Sequence, residues 1–578
     1  MEECHVDKFL QFTQINDSMT QSSISQIIVG VIVVLQFISC NDKSEKTKAK
    51  NIPPLEMDVF VQETIKNRLE EASVANKLDD STGLYAIPVL NYYYEENEYR
   101  PIWSSREKWQ LSADSLMGYL QQCELDGLFK DDYQFALLQT LKKQLDDDSL
   151  NRKDAEQWAM VDILFTDAFV HLIQDLKQGR LQSDSLCWIN NKTQQKTFFK
   201  DYLDKIKAGQ SLYGIVQSLQ PTHTAYLALK KGAAAFLQGM DKKKYTYLSY
   251  PSKDSIGFLK TLITRLNESG MEVVPITEMD TAKLRWFIST YQQTKGLKPT
   301  GKLSVSLVNF LNNTDQEKFK RIAITLDRYK QLPEQMPEKY IWVNLPSYYL
   351  RVWERDTLQM ESKIIIGKPN TPTPDIYSEI SDLVIYPTWT VPNSIILKEI
   401  LPGLKSNPDY LTKKGLGLYD NNGDTVNPRG VNWAKYSKGI PYFVRQNSGD
   451  NNALGVIKFN FNNPYDVYLH DTNQRYLFKN QSRSLSHGCV RVQDWKKLAF
   501  YIVRNDSIQS VLPASIKLRT DSIMSWIAQK EKHRVVLNER IPVFIRYFGC
   551  EAVNGSILFY EDIYNRDKVL REKYFALK

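Results

Sequence analysis

The sequence predicts a multidomain α+β protein, with helical units first and a mostly β, sandwich-like unit after them. Three observations carry this. The chain has 578 residues, and single cores stop growing near about 250–300 residues. Apolar residues recur at helical spacing through roughly the first 245 positions. From about residue 336 they alternate instead, the period of a half-buried strand.

Residues 1–26 are polar. An apolar run then extends from Ile27 to Leu35 and ends at Phe37-Ile38-Ser39-Cys40. It is shorter than the about 20 residues that span a bilayer, and it fits the apolar core of an export signal. Ser39 before Cys40, with Asn41-Asp42 behind, looks like a lipoprotein processing site, which makes Cys40 a candidate for lipidation. Lys8 is the only Lys or Arg ahead of the run and the leader is long, so Met19 is an alternative start. An uncleaved anchor or a buried strand is the competing reading. Residues 1–40 are thus expected to be an export signal or membrane-anchor segment, and Lys-rich 41–54 a polar tether.

Residues 55–245 read as a helical domain. Phe60, Ile65 and Leu69 share one helix face, and amphipathic runs follow at Leu116–Leu125, Trp158–Leu176 and Leu203–Leu219, the last broken by Pro221. Arg100-Pro101-Ile102-Trp103 behind Tyr92-Tyr93-Tyr94 marks an aromatic corner. His171 and His223 are assigned to structure. Residues 250–315 form a smaller helical unit, with Leu284, Phe287 and Tyr291 on one face before the turn at Pro299-Thr300-Gly301. A connecting helix is expected within 316–335, stopped by Pro333.

The β unit is read as 336–515. Tyr340–Leu345 and Tyr349–Trp353 alternate around Pro346-Ser347, as a hairpin does. Ser362–Gly367, Asp382–Tyr386 and Thr388–Val391 continue the strands, and Trp495–Val503 reads as a helix. Loop chemistry interrupts at 400–445, and 516–578 is read as a C-terminal subdomain.

The net charge is +7. That mild excess suits an acidic polymer but is too diffuse for nucleic acid, and no zinc-finger, phosphate-loop or RNA-binding motif is present. The six cysteines are far apart and form no CxxC pair, so neither a disulfide framework nor a metal site is expected.

Chemistry concentrates between Tyr468-Leu469-His470-Asp471-Thr472 and Ser484-Leu485-Ser486-His487-Gly488-Cys489-Val490-Arg491-Val492. His470 closes one alternating run and Cys489 precedes another, so two strands joined by a polar loop can bring them together. A thiol nucleophile needs such an imidazole, because the thiolate is the attacking species. Gly488 lets the backbone bend so that amides face a developing oxyanion. A cysteine on its own is more often an inert core residue. His470, Asp471, His487 and Cys489 are also zinc-ligand types, but their spacing matches no structural finger.

The string Ser486–Arg491 behind His470 resembles the signature of the L,D-transpeptidase (YkuD-type) catalytic domain. Arg445-Gln446, Asn452-Ala453-Leu454-Gly455, Lys458-Phe459 and Tyr468–Thr472 are similar to its large YcbB-type branch. Tyr99–Trp103, Asp126–Tyr133, Asp175–Leu181 and Gln220–Leu229 resemble that branch's helical scaffold domain, and 250–315 a degenerate peptidoglycan-binding domain. The resemblance implies 3→3 cross-linking of peptidoglycan through a cysteine acyl-enzyme, with release of D-alanine and no cofactor or metal. It implies Cys489 as nucleophile, His470 as general base, His487 as a shaper of the pocket and the Gly488 backbone as oxyanion donor. Arg491 is expected to meet a stem carboxylate or fix the loop. Tyr468, Trp389 and Tyr386 line a substrate groove or belong to the core. The segment 400–445 would cap the site. Peptidoglycan stems and glycan are the expected partners, with no nucleic acid, for a monomer anchored on the periplasmic side of the cell envelope. An L,D-carboxypeptidase using the same cysteine, or a catalytically silent wall-binding protein, are the alternatives.

Overall fold

The computed structural model describes residues 52–181, 195–507 and 513–576. Cys40, the export or anchor segment and nearly all of the tether lie outside the described residues. Among the described residues no helix is long and apolar enough to cross a membrane.

Among the described residues, eight α-helices build the first unit: α1 (Pro54–Ala75), α2 (Ile87–Glu96), α3 (Leu111–Gln121), α4 (Phe135–Asp147), α5 (Ala155–Gln178), α6 (Lys196–Lys207), α7 (Leu212–Leu219) and α8 (Thr224–Gly239). α5 is the centre, buried along most of its length because the others pack around it. Asp162, one of three buried aspartates on it with Asp167 and Asp175, has a purpose. Its carboxylate accepts from the Ile102 and Trp103 amides at 3.0 and 2.9 Å and from the Tyr94 hydroxyl at 2.5 Å. That is what fixes the aromatic corner. Burial pushes Asp162 up to about 6.

The small unit comprises α9 (Ser255–Glu268), α10 (Thr281–Thr294) and α11 (Val305–Asn312) around its own core. Gly301 is required by its positive φ of 62° and because a Cβ would meet the Arg285 carbonyl at 2.8 Å.

α12 (Asp315–Lys330) is far more than a connector. Thr314 caps it, accepting from the Glu317 amide at 3.3 Å, and its ends carry dipole-matched charges: Asp315 and Glu317 first, Arg328 and Lys330 last. Charged residues on it are buried and paired. Asp327 meets Arg180 at 3.1 Å and Lys330 at 2.9 Å, while Arg328 meets Asp567 at 2.6 Å. One helix therefore ties the scaffold to the C-terminal segment.

The β unit starts with β1 (Lys339–Asn344), β2 (Tyr349–Glu354), β3 (Thr357–Gly367) and β4 (Ile376–Ile385). Then come β5 (Trp389–Thr390), α13 (Leu401–Ser406), β6 (Gly417–Tyr419), β7 (Phe443–Gln446) and β8 (Ile457–Phe461). β9 (Leu469–His470), β10 (Ser484–Ser486), β11 (Val490–Val492), α14 (Trp495–Ser507), α15 (Pro513–Gln529) and β12 (His533–Arg546) follow. A hairpin, β13 (Cys550–Val553) and β14 (Ser556–Phe559), and α16 (Arg566–Tyr574) end the chain.

The sheet order is β10-β3-β11-β9-β8-β4-β12-β1-β2, and β3 also pairs with β2. The expected sandwich is thus one sheet curled into a ring of strands. β3 makes the closure because it is long: Thr357–Lys363 pair with β2, while Ile364 and Ile365 pair with β11. Ile341, Val343, Leu350, Val352, Leu383 and Phe459 fill the ring.

Two expected boundaries move. The 516–578 segment is not a separate subdomain, since β12 lies inside the ring, antiparallel to β4 and parallel to β1. Its alternation marked a strand, but its partners lie about 150–200 positions earlier, beyond the reach of local pattern. The insertion begins at Trp389 rather than at 400. β5 pairs with β7, not with the ring, and 391–444 has its own core around Leu404, Leu418 and Trp433.

Candidate functional site

Two strands of two or three residues each position the centre. β9 and β11 run parallel, with Leu469 opposite Val490 and His470 opposite Arg491. The Val490 amide donates to the Tyr468 carbonyl at 3.1 Å. Cys489 and His470 are thereby carried to one small cavity of about 110 Å³, which Trp389, Tyr468, Ser486, His487, Gly488 and Arg491 also line.

The loops around it are locked from outside. Asn452, buried, donates to the Pro387 and Asn447 carbonyls at 3.1 and 2.9 Å and accepts from the Leu454 amide at 2.8 Å. Asp471 accepts from the Val456 amide at 3.0 Å and is gripped by Arg475 at 3.0 and 2.5 Å. Gly455, at φ 63°, sits so close that a Cβ would collide with the Asp471 carboxylate at 2.2 Å. Much of the resembled motif therefore braces the strand that bears His470.

The loop that bears Cys489 is braced too. Ser486 Oγ donates to the Cys489 carbonyl at 2.6 Å, and Thr373 Oγ1 donates to the Gly488 carbonyl at 2.8 Å. Gly488 adopts φ 128°, open only to glycine. Its amide, expected to face an oxyanion, instead donates to Ser486 Oγ at 3.1 Å. A hydroxyl two residues earlier captures it, an effect the spacing could not reveal.

Electrostatics set the resting protonation. Burial pushes the Cys489 thiol up, partly opposed by hydrogen bonding from Tyr468 and by the charges of Lys458 and Arg491. Its Sγ lies 3.7 Å from the Asp466 carbonyl. Burial, then Arg491 and Lys458, push His470 down to about 3, against backbone hydrogen bonds at Asp471 and Leu454. At neutral pH the pair rests as thiol and neutral imidazole.

The remaining expected residues divide. His487 is the more exposed imidazole, and its Nε2 lies 2.5 Å from Glu399. Glu399 belongs to the insertion, on a π-helical turn at Ile396–Ile400, so this contact ties the insertion to the loop that bears Cys489. Arg491 Nη1 donates to Gln474 at 3.1 Å, while its Nε is buried without a partner. Tyr468, packed against His470 at 5.7 Å between ring centroids, also touches the thiol, and Lys458 sits 3.8 Å above its ring. Trp389 lines the cavity from β5. Tyr386 does not: its ring packs in the ring core and its hydroxyl donates to Asp450 at 2.8 Å. The left-handed φ of 47° at Tyr386 turns the chain out of β4, which sends the side chain away from the groove.

Glu399, Thr373, Ser486 and Lys458 complete the site and were not expected in these roles. Ser486 and Lys458 stood inside the quoted motifs; Glu399 and Thr373 carried no local signal. Among the described residues no group of three or more His, Cys, Asp or Glu is placed to hold a metal ion.

Residues 338–511 match the L,D-transpeptidase catalytic domain family, and 88–232 match the scaffold domain family. A Haemophilus influenzae protein named "Putative L,D-transpeptidase" is 33% identical over 248 residues, 43% of this chain and 48% of that protein. The chain thus spans about half the length of the curated relative it matches. A mutant Enterococcus faecium L,D-transpeptidase has 14% identity and a TM-score of 0.16, covering 40% of this chain and 64% of its own. A Stackebrandtia nassauensis L,D-transpeptidase has 14% identity and a TM-score of 0.15, covering 52% and 97%. The chain thus carries an L,D-transpeptidase (YkuD) catalytic domain over 338–511 and a scaffold domain over 88–232.

Proposed function

We propose that this protein is a murein L,D-transpeptidase that forms 3→3 cross-links through a Cys489 thioester. The observation that carries the reading is the parallel β9–β11 pairing, which delivers Cys489 and His470 to one cavity beside Arg491. Cys489 Sγ attacks the carbonyl between the third residue of a tetrapeptide stem, a diamino acid, and the terminal D-alanine. His470 takes the thiol proton as the S–C bond forms and returns it to the departing D-alanine amine. A side-chain amine of a second stem then attacks the thioester, loses its proton to His470, and frees the thiolate to be reprotonated. The oxyanion is met by backbone amides of the nucleophile loop, with the Cys489 amide in first place because Ser486 holds that of Gly488. The unpartnered Arg491 Nε suits the D-alanine carboxylate.

The insertion supports transfer over hydrolysis. A thioester survives until an amine arrives only where bulk water is kept out. The His487–Glu399 contact holds the insertion against the nucleophile loop. The cell envelope is the corresponding place of action, with anchoring through the segment around Cys40. Mass spectrometry of the full chain incubated with disaccharide-tetrapeptide tests the reading, with Cys489→Ala as control. A cross-linked dimer and free D-alanine, absent with the variant, is expected. Tripeptide without dimer would make it a carboxypeptidase, and no change in either sample would leave a wall-binding protein.

A further inference from the structure

A cavity of about 680 Å³ opens between the scaffold and the outer face of the strand ring. It shares no lining residue with the cavity at Cys489. Its volume falls within the about 300–1,000 Å³ typical of ligand clefts.

The floor follows from the strand period. β1 and β2 send Ile341, Val343, Leu350 and Val352 into the ring. The positions between them face outward: Tyr340 and Trp342 on β1, Arg351 and Trp353 on β2. Register places Tyr340 opposite Trp353 and Trp342 opposite Arg351. An outward sheet face is ordinarily polar, and this one carries three aromatic rings. Phe548, 5.1 Å from Trp342 between centroids, covers part of it, while Tyr340 and Trp353 remain partly exposed and line the cavity.

The rim is polar. Arg355 and Asp356, at φ 48° and 57°, form the tight turn between β2 and β3, and Asn554 at φ 50° turns β13 into β14. Glu338 and His223 complete it. His223 Nε2 is buried without a partner, and burial lowers the affinity of this imidazole for a proton. The cations at hand are already paired: Arg351 with Glu361 and Glu551 at 2.7 Å each, Arg355 with Glu338 at 2.5 Å. An anion would have to break those pairs. A neutral ligand with an apolar face and a girdle of hydroxyls meets both floor and rim without doing so.

We propose that this cavity binds the glycan of the wall polymer, pyranose rings stacking on Trp353 and Tyr340 while Asp356, Asn554 and His223 take their hydroxyl and amide groups. Naming the wall polymer rests on the function proposed above; the binding itself requires no catalysis. The site holds a sugar strand at a distance from Cys489, so that stems are presented from an anchored chain.

Calorimetric titration of the full chain with the N-acetylglucosamine tetramer tests it. Saturable binding is expected, weakened at least about tenfold by Trp353→Ala and restored to within about threefold by Trp353→Phe, because an aromatic face is what the sugar meets. Asp356→Asn, which keeps the left-handed turn, should weaken it several-fold. Trp286, 61% exposed on α10, is the rival platform in the small helical unit, and Trp286→Ala should change nothing. Absence of saturable binding overturns the proposal, and so does binding lost with Trp286→Ala but kept with Trp353→Ala. Cys489→Ala should bind as the parent does. Binding without turnover would refute the proposed reaction and leave this site standing; turnover without binding would do the reverse.

Discussion

Cys489 and Cys550 make an instructive pair. Both lie in or beside short strands of the same unit, and burial pushes both thiols up, that of Cys550 to about 12. Cys550 is wholly buried, and its Sγ faces the Thr325 hydroxyl at 3.3 Å and the Arg321 carbonyl at 3.8 Å, both on α12. It is a packing residue between helix and hairpin. Cys489 is only half buried and opens into a cavity where Tyr468, Lys458 and Arg491 partly offset the cost of ionisation. Burial alone does not tell a structural thiol from a nucleophile; an opening and nearby cations do. The sharpest test replaces each. Cys489→Ala should cost about 10⁴-fold or more in turnover, as losing a nucleophile does. Cys550→Ala should leave turnover within about twofold and lower stability by about 1–2 kcal/mol, read by urea unfolding. Comparable activity losses from both would erase the distinction.

The two imidazoles of the cavity extend the contrast. His470 is buried and neutral among backbone groups, whereas His487 is partly exposed and tied to Glu399. His470→Ala should lower kcat by about 10²–10⁴-fold, the usual worth of a general base. His487→Ala should cost no more than about tenfold, and Glu399→Gln should cost the same with no further loss in the double variant, since both break one contact. An equal loss at both histidines would move the base to His487.

How far these roles were legible in the sequence depends on how local their cause is. The β1–β2 hairpin was readable because alternation and the turn at Pro346-Ser347 lie within a dozen residues; Ser347 closes that turn, donating to the Asn344 carbonyl at 2.9 Å. The Cys489–His470 encounter was readable because each stands at the end of a short alternating run. The place of β12 was not, because its partners β4 and β1 are distant in sequence and nothing in 533–546 names them. Nor was Glu399, whose meeting with His487 spans 88 positions. For Tyr386 the sequence left groove and core both open, because proximity to Trp389 says nothing about the backbone turn between them.

The histidine contrast also has a signature in stability. His470 binds a proton at about 3 in the fold, below its ordinary 6.5. The unfolded chain therefore gains a proton below 6.5 that the folded chain refuses until about 3. The associated stability is complete above 6.5 and is lost as pH falls through that window, amounting to about 2 kcal/mol at pH 5. Urea unfolding of His470→Gln should show an acid decline between pH 7 and 5 that is shallower than the parent's by about that amount. Equal slopes would mean that His470 is not held neutral.

The finest test returns to the thiols. With burial dominant, Cys489 should not behave as a preformed thiolate. Its alkylation by iodoacetamide, followed by mass spectrometry, should be slow at pH 7 and still rising beyond pH 9, while Cys550 stays unmodified. Lys458 lies on β8, its amine over the Tyr468 ring, and its charge favours the thiolate from one strand away. Lys458→Met should slow alkylation at pH 8 by about threefold, half a unit of pKa, with the shape of the pH curve retained. A plateau at neutral pH in the parent would mean that the pair rests as thiolate and imidazolium. Activation would then precede substrate binding, and the cations would matter less than the imidazole. A rising curve would place activation in the bound complex, where substrate displaces water and the thiol loses its proton only as the new S–C bond forms.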